Sequence, residues 1–177
     1  MSPDLEAALR RLLDEEAIRK VMLRFGRSLD TGNWPGYRSC FTDMLLVDFE
    51  RLTGNPKILV DADDWTRFAD LILTPVRRHH SYFNFDISVD GDAATGVWYF
   101  TARHWKATDM GASIYNQHGW YHANFVRQNG EWKMSYVKHD FVGVDGNNAL
   151  FDMAEPELAA CMTKVFSAAN VEAAKGK

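Results

Sequence analysis

Two cysteines in 177 residues, Cys40 and Cys161, lie far apart and without metal-binding spacing. A disulfide framework and a cysteine-ligated metal are therefore not expected, and the compartment is expected to be reducing and cytoplasmic. No apolar run approaches the roughly 20 residues of a membrane span, and the N-terminal MSPDLEAALRRLLDEE is charged where a signal peptide would be apolar. Basic excess is lacking too. Twenty Lys and Arg stand against 24 Asp and Glu, a net charge of −4, and no basic patch interleaved with aromatics suggests nucleic acid. There is no Gly-x-Ser-x-Gly nucleophile elbow, no phosphate-cradling Gly-rich loop, and no set of neighbours that would activate either thiol. Internal repeats and low-complexity linkers are also missing, so the chain reads as one domain, 1–177.

Aromatic residues are what the chain has in quantity. Six Trp, six Tyr and eleven Phe supply either a large core or the lining of a pocket for a flat, ring-containing ligand.

Helices come first along the chain. Leu5, Leu9, Leu12, Ala17, Ile18, Val21, Met22 and Phe25 recur at intervals of three and four, which predicts an amphipathic helix over 3–28, opened by Pro3 and broken by Thr31-Gly32. A short turn follows from Trp34-Pro35 to Cys40, then a strand over MLLVDFERL. Asp61, Asp63 and Asp64 precede Trp65, Phe68, Leu71 and Ile72, an acidic start to a second helix. From His79 the period becomes two: Phe83, Phe85, Ile87 and Val89 alternate with polar residues, and Asp90-Gly91-Asp92 turns into a strand carrying Trp98 and Phe100. After a loop at 109–111 come a strand over 114–127, an Asn129-Gly130 hairpin signal, and a strand with Trp132, Met134 and Tyr136. A helical tail over 147–169, interrupted at Pro156, either packs simply or closes a cavity mouth; 170–177 reads as frayed. Helices followed by long antiparallel strands give an α+β fold, a curved sheet over helices with a cavity between.

The residues with chemistry are spread widely. Asp30 ends the first helix, where the dipole disfavours a negative charge; it is either a turn residue or a buried partner of a donor. His80 shares a strand face with Tyr82 and Asn84 unless a bulge intervenes. His104 projects from the apolar stripe of Trp98, Phe100 and Ala102, as core or as pocket. His118, His122 and Asn124 share one face, and His139 lies with Val137 and Phe141. A metal site is not expected, because His118 and His122 on a strand sit about 13 Å apart. A carboxylate-oriented imidazole is a base that works near neutral pH.

Taken in order, LDTGNW, VDFER, HHSYFNFDISVDGDAATG and NGEWKMSYVKHDF make the chain resemble the SnoaL-like superfamily of α+β cones, related to nuclear transport factor 2. The resemblance covers nearly the whole chain. Within the superfamily it is nearest to scytalone dehydratase, and more distant from bile-acid 7α-dehydratase and hexachlorocyclohexane dehydrochlorinase. It implies a lyase that eliminates water from a cyclic or polycyclic carbonyl compound with no cofactor. Asp30 would support the base His80, His104 would assist, and Asn124 would bind substrate. It also implies a homo-oligomer, with a trimer favoured and a dimer possible. Leu29 and Phe49 stand where that group carries carbonyl-polarising tyrosines, and neither can donate a hydrogen bond; Tyr82, Tyr115, Tyr121 or His122 could take over. A ring-binding slot is expected from Trp98, Phe100, Tyr82 and Phe49. An isomerase, cyclase or epoxide hydrolase, or a non-catalytic ligand-binding protein, would suit the same fold.

Overall fold

The computed structural model describes residues 2–109 and 111–177. Helix α1 runs Pro3–Thr31. The Ser2 side chain accepts a hydrogen bond from the Leu5 N–H, Pro3 occupies the first turn, and Asp4 and Glu6 meet the positive end of the dipole. Gly32 stops it in the left-handed region, φ 68°, where a glycine is unstrained. The helix thus continues beyond the expected end at residue 28, and Asp30 lies in its last turn.

Six strands form one sheet: β1 Phe41–Asp48, β2 Ile58–Asp61, β3 Arg77–Asp90, β4 Ala93–Thr108, β5 Gly111–Gln128 and β6 Glu131–Gly146. Their order is β2-β1-β6-β5-β4-β3, with β1 parallel to β6 and every other neighbour antiparallel. Helices α2 (Trp34–Arg38), α3 (Glu50–Thr53) and α4 (Ala62–Leu73) connect the early strands. The strand expected over MLLVDFERL is therefore corrected. β1 begins earlier and ends at Asp48, and the following residues turn into α3, closed by Gly54 at φ 73°. The expected loop at 109–111 includes Met110, outside the described residues. Asn129 and Gly130 take the positive φ values that their hairpin requires, 52° and 82°.

The core lies between the inner sheet face and the helices. Ile18, Val21, Met22, Phe25 and Leu29 on α1 meet Trp98, Phe100, Ala123 and Phe125 from the sheet. Leu5, Leu9 and Leu12 stay exposed: at 3.6 residues per turn they fall on nearly the opposite side of α1 from Ile18, Val21, Met22, Phe25 and Leu29, so the expected single apolar face is corrected. No helix of the described residues is long and apolar enough to cross a membrane.

Bulges bend this sheet and reset which side chains face inward. On β3 the register slips between Phe83 and Asp86, where Asn84 takes φ 51°. His80 and Tyr82 before the bulge thereby share the inner face with Phe85, Ile87 and Val89 after it. A second slip, between His118 and Gly119, brings β5 against β6 so closely that a Cβ on Gly119 would sit 2.0 Å from the Asp140 carbonyl oxygen. Gly119→Ala must push two paired backbones apart, which overpacking data put at about 1–3 kcal/mol. The urea midpoint is expected to fall accordingly; an unchanged midpoint would mean that the bulge relaxes freely.

The tail departs from the expected continuous helix. Pro156 starts a helix and does not interrupt one: α5 spans Pro156–Val165, preceded by a single 3-10 turn at Asn148–Leu150. The end is not frayed. Helix α6 (Ala168–Ala173) packs against β2, Ala174 is buried, and the Lys57 ammonium donates to the Lys177 backbone oxygen at 2.6 Å.

Candidate active site

Asp30 and His80 are fifty residues apart in sequence and in direct contact. The carboxylate accepts the His80 backbone N–H through both oxygens, 3.0 Å each, and lies 2.7 Å from the ring Nδ1. A carboxylate can only accept, so Nδ1 carries the proton and Nε2 keeps its lone pair. Nε2 has no hydrogen-bond partner among the described residues. The ring is almost wholly enclosed, with its side chain 5% exposed against 20% for Asp30.

Arg78, two residues before His80 on the same inner face, balances this carboxylate. Its guanidinium donates to the Leu29 carbonyl near the end of α1, to the carbonyl of Leu73 (2.7 Å), the last residue of α4, and to that of Val76 (3.0 Å) in the connection that follows. It also lies over the Trp34 ring, 5.4 Å from the centroid. One cation thus serves two helix C-termini, where positive charge is favoured.

His80 opens into a cavity of about 290 Å³ between the sheet and α4. Ligand pockets start near this volume. Trp65, Phe68 and Ile72 of α4 form one wall, and Phe151, Met162 and Phe166 of the tail form another. From the sheet come His104, Tyr115, Gln117, Tyr121 and His139, and from its rim Phe49. The His104 ring meets His80 edge-on, with centroids 5.6 Å apart at 85°. Burial, reinforced by the neighbouring His80, lowers the His104 pKa to about 4, and burial lowers that of His139 to about 3. Both rings are neutral at pH 7, so His104 cannot serve as a resting acid. Burial holds the Tyr37, Tyr82 and Tyr121 phenols protonated. Among the described residues no group of three His, Cys, Asp or Glu is placed to hold a metal.

The cavity brings together Asp30, His80, His104, Leu29 and Phe49, with Asp30 behind His80 and the other four at or near the wall. Other expected ligand contacts need correction. His122 and Asn124 point away, into a shallow depression on the outer face with Lys138 and Tyr136. The alternation on β5 buries Tyr121, Ala123 and Phe125, which leaves the even-numbered residues outside. Trp98 and Phe100 lie in the core beneath Tyr121, whose ring stacks on Trp98 at 5.2 Å and covers Phe100 at 4.8 Å. Tyr82 packs against α1 at Gly26, where a Cβ would come within 2.5 Å of its ring. Of the expected slot only Phe49 reaches the cavity. Sequence reasoning did not single out Gln117 or Tyr37 as site residues, and it placed His139 on its face without a role. Each stands at an inward position of its element, which was the available signal.

A family model described as a SnoaL-like domain matches residues 10–138. Among solved structures, the chain is similar to the Kfla4162 protein from Kribbella flavida, at 26% identity and TM-score 0.74, covering 79% of this chain and 97% of that one. A scytalone dehydratase-like protein from Novosphingobium aromaticivorans shares 19% identity at TM-score 0.66, covering 78% and 90%. The type 3 hexachlorocyclohexane dehydrochlorinase LinA from Novosphingobium barchaimii shares 16% at TM-score 0.64, covering 80% and 94%. No curated protein matches the chain. With the family model spanning most of its length, and with helices laid against a curved, mixed six-stranded sheet, the chain belongs to the SnoaL-like domain family.

Proposed function

We propose that the cavity eliminates water from a small cyclic β-hydroxy ketone, using the Asp30-supported imidazole of His80 as the base. The observation that carries this reading is the His80 ring itself. Nδ1 is committed to Asp30, and Nε2 is left with a free lone pair in an apolar, largely enclosed pocket.

His80 Nε2 takes the proton from the carbon next to the carbonyl, and the C–H electrons move onto the carbonyl oxygen as an enolate. The enolate collapses to the conjugated ketone and expels the β-hydroxyl, which leaves as water after receiving the proton from the His80 imidazolium. Substrate hydrogen and hydroxide thus leave together, and His80 returns to its starting state. His104, neutral through burial, can hold the departing hydroxyl by a hydrogen bond but has no proton to spare. Asp30 stabilises the imidazolium that forms between the two steps. General acid and base catalysis of this kind typically contributes about 10²–10⁴-fold, so the remainder falls to orientation within the aromatic walls. Family likeness supports the choice of reaction class, since one structural neighbour is scytalone dehydratase-like and another is a dehydrochlorinase.

The test is a panel of one- and two-ring β-hydroxy ketones, followed by ultraviolet absorbance of the enone and by NMR in D₂O. Enone formation, read both as ultraviolet absorbance and as the vinyl proton signals of the product, is expected for at least one member. Absence of both, across rings that fit about 290 Å³, would remove the elimination reading.

A further inference from the structure

The proposed base has a position, but no carbonyl donor stands beside it: Leu29 and Phe49, which line the cavity near His80, cannot donate. We infer that Gln117 supplies the missing donor: its carboxamide N–H groups polarise the substrate carbonyl, and His139 positions it. This inference rests on the elimination reading and names the group that would stabilise its enolate.

Three observations converge on Gln117. The first is register. His80 on β3 pairs with Ala102 on β4, and Ala102 pairs with Gln117 on β5. Base and amide therefore occupy the two ends of one rung, roughly 10 Å apart between backbones at two strand spacings. The residue between them is a buried alanine, and His80 and Gln117 on either side of it both line the cavity.

The second is orientation. Gln117 Oε1 lies 3.2 Å from His139 Nε2. Two acceptors cannot share a hydrogen bond, so His139 donates through Nε2–H and the amide is held by its oxygen. Its nitrogen, with two donors, has no partner among the described residues, although Gln117 is 7% exposed and lines the cavity. The amide nitrogen is not shut in by the protein, so its two donors open onto the cavity.

The third is the state of His139. It is 1% exposed, Nδ1 has no partner, and Phe49, Phe100 and Tyr121 surround the ring. Burial keeps it neutral. A neutral imidazole can fix the Gln117 amide at any working pH without offering a competing proton. Of the tyrosines on this wall, Tyr121 has its ring turned into the stack with Trp98 and Phe100, and Tyr115 packs edge-on against Phe151 of the tail.

The probe is acetophenone, a ring ketone with no leaving group, so binding is read without turnover. Its carbonyl stretch is followed by difference infrared spectroscopy in the wild type, Gln117→Met, Gln117→Leu, His139→Phe, Tyr121→Phe and His80→Asn, each with folding checked by near-ultraviolet circular dichroism. The wild type is expected to shift the stretch to lower frequency. Gln117→Met should lose that shift and bind about five- to tenfold more weakly, the worth of one hydrogen bond. Gln117→Leu removes the donors with a different side-chain shape and should lose the shift as well, which covers misfolding of either variant. His139→Phe should broaden or reduce the shift, a spectroscopic change that a packing role alone would not produce. His80→Asn should retain it, so failure of the donor assignment and failure of the base assignment are read separately. Absence of acetophenone binding to the folded wild type, a shift that survives in both Gln117 variants, or a shift lost in Tyr121→Phe instead would overturn the inference.

Discussion

Replacing His80 by alanine is expected to lower turnover about 10²- to 10⁴-fold while leaving the protein folded. The separation is possible because Asp30 holds residue 80 in two ways. It accepts the backbone N–H through both carboxylate oxygens and the ring through Nδ1, and only the second contact is lost in the variant. β3 therefore keeps its anchor on α1. Asp30→Ala is a different experiment, because it removes both contacts and leaves a buried backbone N–H unpaired, at about 1–3 kcal/mol. His80→Ala isolates the chemistry, and steady-state rates on the substrate found in the enone assay, normalised to folded protein, measure it. A variant that keeps most of the activity would sink the base assignment.

Acid is expected to destabilise the protein strongly between about pH 6.5 and pH 4. His104 and His139 titrate near 4 and 3 in the folded chain, against an ordinary value of 6.5. Within that window the unfolded chain binds more protons than the folded one, so stability rises with pH up to about 6.5 and falls as pH drops below it. At roughly 1.4 kcal/mol per pKa unit, His104 alone accounts for about 3 kcal/mol. His139 adds a loss of the same sign, and the two do not simply sum, because each ring lies within the field of the other. Urea midpoints at pH 7.5 and 4.5, with His104→Phe and His139→Phe beside the wild type, should show a steep wild-type dependence that each variant flattens. Midpoints that do not move between those pH values would contradict the neutral, buried state of both rings.

The same two histidines show where the sequence was legible and where it was not. Alternation on β4 placed His104 on the stripe with Trp98, Phe100 and Ala102, and the structure has it there. Helix α1, the second helix and the Asn129-Gly130 hairpin carried strong local signals, so their places follow from pattern alone. The contact between Asp30 and His80 was given by the family resemblance, since neither residue announces a partner fifty positions away. Faces were harder to read because a single inserted residue inverts them. Counting back from Phe83 and Phe85 put His80 on a polar face, and only the slip at Asn84 turns it inward. A similar slip on β6 carries Tyr136 outward to Asp48 while Trp132 and Met134 stay buried. Asn124 is another kind of error. Its strand alternates cleanly, and the run Tyr121, Ala123, Phe125 already marked the other face as the inner one. The depth of Trp98 and Phe100 could not be read at all, because whether an inward residue lines a cavity or lies beneath it depends on the ring next to it.

Arg78 ties the Asp30 carboxylate to the cavity wall. Its guanidinium grips the last turn of α1, which carries Asp30, and the last turn of α4, whose Trp65, Phe68 and Ile72 face the ligand space. The two helices are thereby coupled as parts of one lever. A ligand that enters by displacing α4 pulls on the bonds that hold the end of α1, so loosening the wall also loosens the contact between Asp30 and His80. The tail is tied to the same lever, since Glu157 and Lys164 of α5 pair with Arg67 and Asp64 of α4. Entry from either side is therefore felt at the end of α1, and the side chains that enclose a ligand are mechanically continuous with the carboxylate behind His80.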